Sequence, residues 1–355
     1  VFITLFRIYG KLSEINFSYL ILPIGQLLCI VLFKGEKLLW AILINLIVTS
    51  TLTLLIFLRK VPVKIKLSFA ISGQVVKTLF VRGLYLLTYN ASFYFIIIAA
   101  RTIVSYFYKV EEFSLFNFAN SFTSAILIFI GSIEFLFYPK MLNFYSKCSN
   151  NLEIIAFNER IRNIYLVLSF LIIFMSLIAV QLVFYLMPKY SDSVYSFIYL
   201  IIAQLIICNG FGYSTLLIQR KMEGVLTIYG IIAIVFVLIS GIIFAYWYKL
   251  SYEYVAISVI IGTVVYNFLV IRTGNKITQQ HKNGFKLLAY IYNYKFFLPV
   301  VVIIIFCHTD LGAFLASVFT LVLFILLNVR EIIYATREGL KVITRSDVLN
   351  IKIND

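Results

Sequence analysis

Apolar stretches long enough to cross a lipid bilayer fill most of this chain, and they limit it to a membrane fold. About 20 residues of α-helix span the hydrocarbon core of a bilayer, and ten stretches near that length follow one another in the sequence. They lie at about 15–33, 38–58, 83–104, 114–138, 162–187, 194–217, 224–247, 253–272, 287–307 and 311–329. The sequence therefore predicts an all-α, polytopic membrane protein with about ten transmembrane helices.

The Lys and Arg residues are concentrated in every second gap between these stretches. Six segments hold 23 of the 30 basic residues: 1–14, 59–82, 139–162, 218–223, 272–286 and 330–355. Because cytoplasmic loops carry the Lys/Arg excess, this pattern predicts that both termini are cytoplasmic. The external turns are then expected at 34–37, 105–113, 188–193, 248–252 and 308–310.

The composition excludes several classes of protein. A net charge of +15 would indicate nucleic-acid binding in a soluble chain, but 62% of the residues are apolar and only 13% are charged. Basic loops facing anionic lipid explain the charge, so we expect no nucleic-acid partner. The four cysteines, Cys29, Cys148, Cys208 and Cys307, are isolated in the sequence, which indicates neither a disulfide framework nor a zinc site.

Loop composition divides the chain into five parts. We expect a two-helix remnant of a first lobe at 1–58, a basic amphipathic linker at 59–82 and a six-helix second lobe at 83–272. A cytoplasmic loop with a C-terminal hairpin follows at 273–329, and 330–355 form a cytoplasmic tail. The chain opens on Val1 rather than Met, so we expect that an N-terminal part of the first lobe is missing.

Residues that would support catalysis are scarce. Asp occurs only at 192, 310, 347 and 355, outside the apolar stretches, and His281 and His308 are the only histidines. His308 and Asp310 share a predicted tight turn, a setting more typical of turn chemistry than of a metal site. No phosphate-binding glycine loop is present. We therefore expect no enzyme activity, no cofactor and no metal.

Two of the apolar stretches carry polar faces. In 83–104, Asn90, Tyr94 and Arg101 fall within about 40° of one another on a helix. In 114–138, a polar face that covers an arc of about 100° is formed by Asn117, Asn120, Ser124, Gly131 and Glu134. Such groups are costly in lipid unless they face protein or water. They either join helices in a dry interface, with Arg101 and Glu134 reaching the two membrane surfaces, or line a water-filled cavity; the length of the stripe favours the cavity.

The residues around these two stretches resemble a known family. The sequence from Ala100 and Arg101 through Tyr106-Phe107-Tyr108 to Ala119, continuing to Tyr138-Pro139-Lys140, resembles the seventh and eighth helices of bacterial polysaccharide flippases, the O-antigen translocases. Arg101 matches the Arg of an Asp-Arg pair in that family, and Ala100 replaces the Asp. Further stretches resemble its tenth to twelfth helices: Gly212 to Lys221, Thr227 to Gly230 and Tyr252 to Ser258.

The resemblance covers about 60–330 and implies a function. Members of this multidrug, oligosaccharide-lipid and polysaccharide exporter superfamily have two six-helix lobes, sometimes with two further helices, so the chain would correspond to helices five to fourteen. It would flip an undecaprenyl-pyrophosphate-linked oligosaccharide, such as an O-antigen or capsule unit, across the bacterial plasma membrane by alternating access. Its partners would be the lipid-linked oligosaccharide, membrane lipids, a polysaccharide polymerase and a chain-length regulator.

On this interpretation Arg101 contacts the pyrophosphate, since a guanidinium binds phosphate in a bidentate manner. The other substrate-binding candidates are Asn90, Tyr94, Asn117, Asn120 and Ser124. Glu134 is the candidate for ion coupling. Two alternatives stay open: a membrane-embedded polysaccharide polymerase or ligase, which typically has a long external loop, and a multidrug exporter of the same superfamily, which would favour acidic cavity residues.

Overall fold

The structure is a computed structural model that describes residues 12–60, 73–148, 150–279, 285–307 and 312–344. All regular elements in these ranges are helices, which confirms the predicted all-α class. Within them, eight helices have the length and mean hydropathy needed to cross a membrane. Two shorter apolar helices, Leu20–Leu32 and Tyr294–Phe306, coincide with two further predicted stretches. The architecture is that of a polytopic membrane protein.

The chain divides into two compact units, Val1–Val75 and Val76–Asp355. In the first unit, α1 (Leu12–Leu32) and α2 (Glu36–Lys60) form a hairpin. The turn between them uses Gly35 at φ 62°, a left-handed conformation that glycine adopts without steric cost. The side chain of Trp40 on α2 is 66% exposed. An apolar surface of this kind is what a helix presents to lipid.

The second unit contains the remaining helices. They are α3 (Gly73–Phe107), α4 (Val110–Lys147), α5 (Asn151–Leu186), α6 (Val194–Cys208), α7 (Tyr213–Gln219), α8 (Glu223–Ile242), α9 (Val255–Ile277), α10 (Phe285–Ile291), α11 (Tyr294–Phe306) and α12 (Gly312–Thr344). A 3₁₀ turn (Pro188–Ser193) precedes α6, a π turn (Ile243–Trp247) extends α8, and a second 3₁₀ turn (Tyr252–Tyr254) precedes α9.

The core of the second unit is formed by α5, α6 and α9. Almost every residue of α6 is buried, from Val194 to Cys208. Small residues allow close helix contact around this core: a Cβ atom on Gly262 of α9 would lie 2.9 Å from the carbonyl oxygen of Ala233 on α8. Close approach at glycines is typical of packing between membrane helices. The core is therefore at its densest where α6 is surrounded by its neighbours.

The prediction of one continuous helix at 194–217 is wrong. The segment 209–212 interrupts it, with Gly212 at φ 90° between the end of α6 and the start of α7. Gly212 also packs directly against the Oδ1 atom of Asn158, where a Cβ atom would clash. Asn209, which caps the end of α6, still has helical dihedral angles, and the positive φ of Gly212 comes immediately before α7 begins. The hydropathy of the flanking residues conceals this break.

The stretch at 287–307 is also not one helix. Its first turn lies in α10, and α11 begins after Asn293, whose side-chain oxygen accepts a hydrogen bond from the backbone N–H of Lys295 at 3.1 Å. An Asn in this position is a favourable N-cap and starts a new helix. The other helices reach beyond the predicted stretches; α3, for example, already begins at Gly73. Residues 61–72 of the predicted amphipathic linker at 59–82 and the turn at 308–310 lie outside the described residues, and 73–82 belong to α3.

Candidate functional site

One side of α3 packs against α8 and α9, and the other side is open. Thr227 on α8 donates a hydrogen bond to the carbonyl oxygen of Tyr85 at 3.0 Å, and the rings of Phe93 and Tyr266 meet edge to face with centroids 5.2 Å apart. Of the predicted site residues on this helix, Asn90 is exposed and the side chain of Tyr94 is 74% exposed. Both therefore lie on the open side of α3 within the second unit.

Arg101 lies near the C-terminal end of α3 and is half-buried. Among the described residues it makes neither a hydrogen bond nor an ion pair. Its neighbour Ala100 is completely buried. An Asp at position 100 would place a carboxylate in the apolar core, so Ala fits this packing.

The end of α3 is fixed by a hydrogen bond between two turns. The hydroxyl group of Tyr108 donates to the carbonyl oxygen of Leu250 at 2.7 Å. Burial, with smaller contributions from the nearby carboxylates of Glu112 and Glu253, raises the pKa of Tyr108 to about 12. The phenol therefore stays protonated at neutral pH and remains a donor, which holds this end of α3 near the turn that follows α8.

The polar face of α4 lies along the edge of the surface that α4 buries. Asn117 and Asn120 are half-buried, and Ser124 is exposed. The hydroxyl group of Ser124 donates to the carbonyl oxygen of Asn120 at 2.9 Å, whereas Asn117 Oδ1 is buried and accepts no hydrogen bond. Within the described residues, no hydrogen bond joins these three residues to Asn90, Tyr94 or Arg101. The two polar faces are thus parts of one unit without direct bonds between them.

Glu134 connects this face to other helices. Its carboxylate interacts electrostatically with the phenol groups of Tyr89 on α3, Tyr165 on α5 and Tyr266 on α9. Glu134 itself is exposed, whereas all three tyrosines are buried. The face of α4 thus carries an exposed carboxylate whose charge reaches three buried phenols on neighbouring helices. Sequence analysis did not identify these tyrosines, since isolated aromatic residues are common in membrane helices.

Arg162 lies at the edge of the basic segment 139–162, and the sequence gives no sign of its structural role. Arg162 lies on α5, is only 4% exposed and donates from Nε to the carbonyl oxygen of Asn209 at 3.0 Å. Its Nη2 group also donates to Asn209 Oδ1 and to the carbonyl oxygen of Ile291. The Asn209 amide donates to the same Ile291 oxygen at 2.6 Å. Arg162 thus binds the carbonyl end of α6, where a cation is favoured, and joins it to the end of α10.

A chain of phenol contacts extends from this guanidinium. The Tyr290 ring lies 4.7 Å from the Arg162 guanidinium carbon, and its hydroxyl group lies 2.9 Å from that of Tyr213. Tyr213 in turn donates to Asn275 Oδ1 at 3.1 Å. Asn267 lies beside the same break, next to Gly210, and is fully buried with neither amide atom hydrogen-bonded. The small and polar residues Asn209, Gly210 and Gly212 were the sequence signal for this closed polar cluster.

Within the described residues, no group of three His, Cys, Asp or Glu side chains is placed to hold a metal ion, and His281, His308 and Asp310 lie outside those residues. Comparisons of the chain with protein-family models, with curated proteins and with solved structures give no match.

Proposed function

We propose that this protein is a secondary transporter that flips an undecaprenyl-pyrophosphate-linked oligosaccharide across a bacterial plasma membrane. The observation that carries the proposal is the polar surface of α3 and α4: Asn90, Tyr94 and Ser124 are exposed on helices that are otherwise apolar enough to span a membrane. The Ser124 hydroxyl already donates to the Asn120 carbonyl oxygen, but the exposed amide of Asn90 and phenol of Tyr94 at membrane depth favour water or a polar ligand. Sugar hydroxyls and a pyrophosphate supply that chemistry, and the sequence resemblance around Arg101 supports the same substrate.

Arg101 is the proposed anion contact. It is half-buried, and within the described residues its guanidinium is not engaged in a hydrogen bond or an ion pair, so its donors are available to a ligand. By contrast, Arg162 donates from Nε and Nη2 to three backbone and side-chain oxygens. A guanidinium matches the oxygens of a phosphate group better than an ammonium does.

The test is transport by variants of Arg101 in a strain that lacks its own flippase. Arg101→Ala should lower transport about ten- to hundred-fold, as expected for the loss of a hydrogen-bonded charge, and Arg101→Lys should restore only part of it. Lys189→Ala is the matched control, because Lys189 is an exposed cation in a turn. Normal transport by an Arg101→Ala protein that inserts into the membrane in normal amounts would refute the proposal.

Glu134 is the proposed coupling residue. It is an exposed carboxylate on the polar face of α4, within electrostatic reach of three buried phenols. In Glu134→Gln the carboxylate is lost while size and hydrogen bonding are nearly retained, so we expect transport that no longer responds to an imposed proton or sodium gradient. Retained gradient dependence would assign coupling to another residue and leave the substrate proposal intact.

The orientation that we propose places both termini in the cytoplasm, in accord with the Lys/Arg distribution. Single cysteines at Lys147 and Lys189, both exposed lysines, provide a matched pair of probes. Native Cys29 and Cys148 would be replaced first, since both are partly accessible. Burial raises the pKa of the Cys148 thiol, which would make it a slow and ambiguous reporter. An impermeant maleimide should label position 189 from outside and position 147 only from inside; the reverse pattern would invert the topology.

The rival functions predict different results in the same strain. If the protein is a polymerase or ligase, deletion of its gene should leave the lipid-linked unit unextended on the outer leaflet. If it is a flippase, deletion should leave the unit on the inner leaflet. A multidrug exporter would confer resistance to cationic dyes irrespective of polysaccharide synthesis. Either result would replace the flippase proposal.

A further inference from the structure

A cavity of about 400 Å³ opens between α5 and α12 in the second unit. It is lined by Arg160, Asn163, Ile164, Val167, Arg330, Glu331, Tyr334 and Ala335. Its wall has two chemical parts. Three apolar residues, Ile164, Val167 and Ala335, are each about 1% exposed, and the rest of the lining is polar, charged or aromatic. The cavity thus combines an apolar floor with basic groups.

The acidic groups of this region are already neutralised. Glu331 accepts a hydrogen bond from Lys295 Nζ at 2.8 Å, and Glu338 is paired with Arg160. Arg330 and Asn163, in contrast, make no side-chain hydrogen bond or ion pair within the described part of the chain. Among the described residues, the cations Lys295, Arg160 and Arg330 therefore lie near two carboxylates. Lys295 and Arg160 are paired with these carboxylates, and Arg330 is in no ion pair. A negatively charged group is the ligand that this arrangement favours.

The cavity lies where two apolar stretches of the sequence end. Arg330 directly follows the apolar stretch 311–329, and Asn163 lies at the start of the stretch 162–187. Phospholipid phosphates occupy this depth, with their acyl chains beginning just below, and basic sites between helices on the cytoplasmic side are typical places for anionic headgroups. The apolar floor at Ile164 and Val167 would contact the first carbons of those chains.

The walls of the cavity are firmly joined. The Arg160–Glu338 ion pair links α5 to α12, and the two helices approach closely at Gly339, where a Cβ atom would lie 3.9 Å from Leu168 and 4.0 Å from Ile164. We propose that this preformed cavity binds the phosphate group of an anionic phospholipid, with Arg330 and Asn163 as its ligands. The site does not depend on the substrate proposed above, but its assignment to the inner leaflet rests on the proposed orientation.

The experiment measures lipid binding to the purified, delipidated protein by native mass spectrometry. Phosphatidylglycerol should bind in preference to phosphatidylcholine, and Arg330→Ala should weaken phosphatidylglycerol binding by about five-fold, the effect expected for one basic residue at a membrane surface. Arg337→Ala is the matched control: Arg337 is exposed on the same helix but does not line the cavity. It should leave binding unchanged.

Three results would overturn the proposal. Equal binding of phosphatidylcholine would show that charge does not select the lipid, and equal losses in Arg330→Ala and Arg337→Ala would show that the cavity is not the site. If inorganic phosphate alone displaced phosphatidylglycerol at millimolar concentration, the site would be one for free anions rather than for lipid. Should Arg330→Ala fail to fold, Asn163→Ala removes the second ligand from an exposed position, and an unchanged affinity in that variant would equally refute the site.

Discussion

Two arginines in the second unit occupy opposite kinds of surroundings. Arg101 on α3 is half-buried and, among the described residues, makes no hydrogen bond or ion pair, whereas Arg162 on α5 is only 4% exposed and binds three oxygens of two other segments. Arg101 lies beside an open polar surface, and Arg162 lies inside a closed polar cluster. A charge that is fully satisfied by protein supports the fold, and one that is left available can support binding.

The strongest test of this comparison is the removal of the buried guanidinium. Arg162→Ala would leave the two oxygens of Asn209 without this donor in the core, whereas the Ile291 oxygen keeps the Asn209 amide, so we expect a loss of about 2–4 kcal/mol in the free energy of unfolding. Purified variant should aggregate or unfold at a much lower temperature in detergent. Arg101→Ala serves as the control and should melt like the wild type; equal melting temperatures for all three proteins would remove the distinction between the two arginines.

The second test concerns the break at 209–212, to which Arg162 binds. Gly212 has φ 90° and packs against Asn158 Oδ1. A Cβ atom at this position adds backbone strain and a clash, so Gly212→Ala should cost about 2–3 kcal/mol. Gly131→Ala is the matched control, because a Cβ atom there meets no atom within 4 Å. A Gly212→Ala protein with the wild-type melting temperature would mean that the break does not need its left-handed residue.

The same comparison explains how much of the structure the sequence could predict. Apolar stretches of bilayer length are sufficient to predict the all-α class, because lipid admits few alternatives to the helix. The ends of α3 and α5 were not predicted, since hydropathy reports the hydrocarbon core and these helices continue into polar surroundings. The break at Gly212 was hidden by Ile206, Ile207 and Phe211, whose apolar character is the same in a helix and in a buried turn.

The polar faces were easier to find than the closed cluster. Asn117 and Asn120 recur at helical spacing, so one helix alone contains their pattern. The contacts of Arg162 join α5 to Asn209 and Ile291, which are distant in sequence and become neighbours only after the helices pack. No local pattern encodes such a cluster. Its one local sign was the presence of Asn209 and Gly210 inside an apolar stretch.

The smallest expected change in stability lies on the open surface, at Asn117. The Oδ1 atom of this residue is buried without a hydrogen bond, which costs free energy in the folded protein. Asn117→Ala should therefore change the free energy of unfolding by no more than about 0.5 kcal/mol, or raise it slightly, while transport falls. Thr123→Ala is the control on the core-facing side of α4, where the hydroxyl group is buried and donates to the carbonyl oxygen of Ala119 at 3.0 Å; it should lower stability without a specific effect on transport. If Asn117→Ala destabilised the protein and left transport unchanged, the polar face of α4 would be a packing surface between helices. The open polar surface near Arg101 would then have no role in transport.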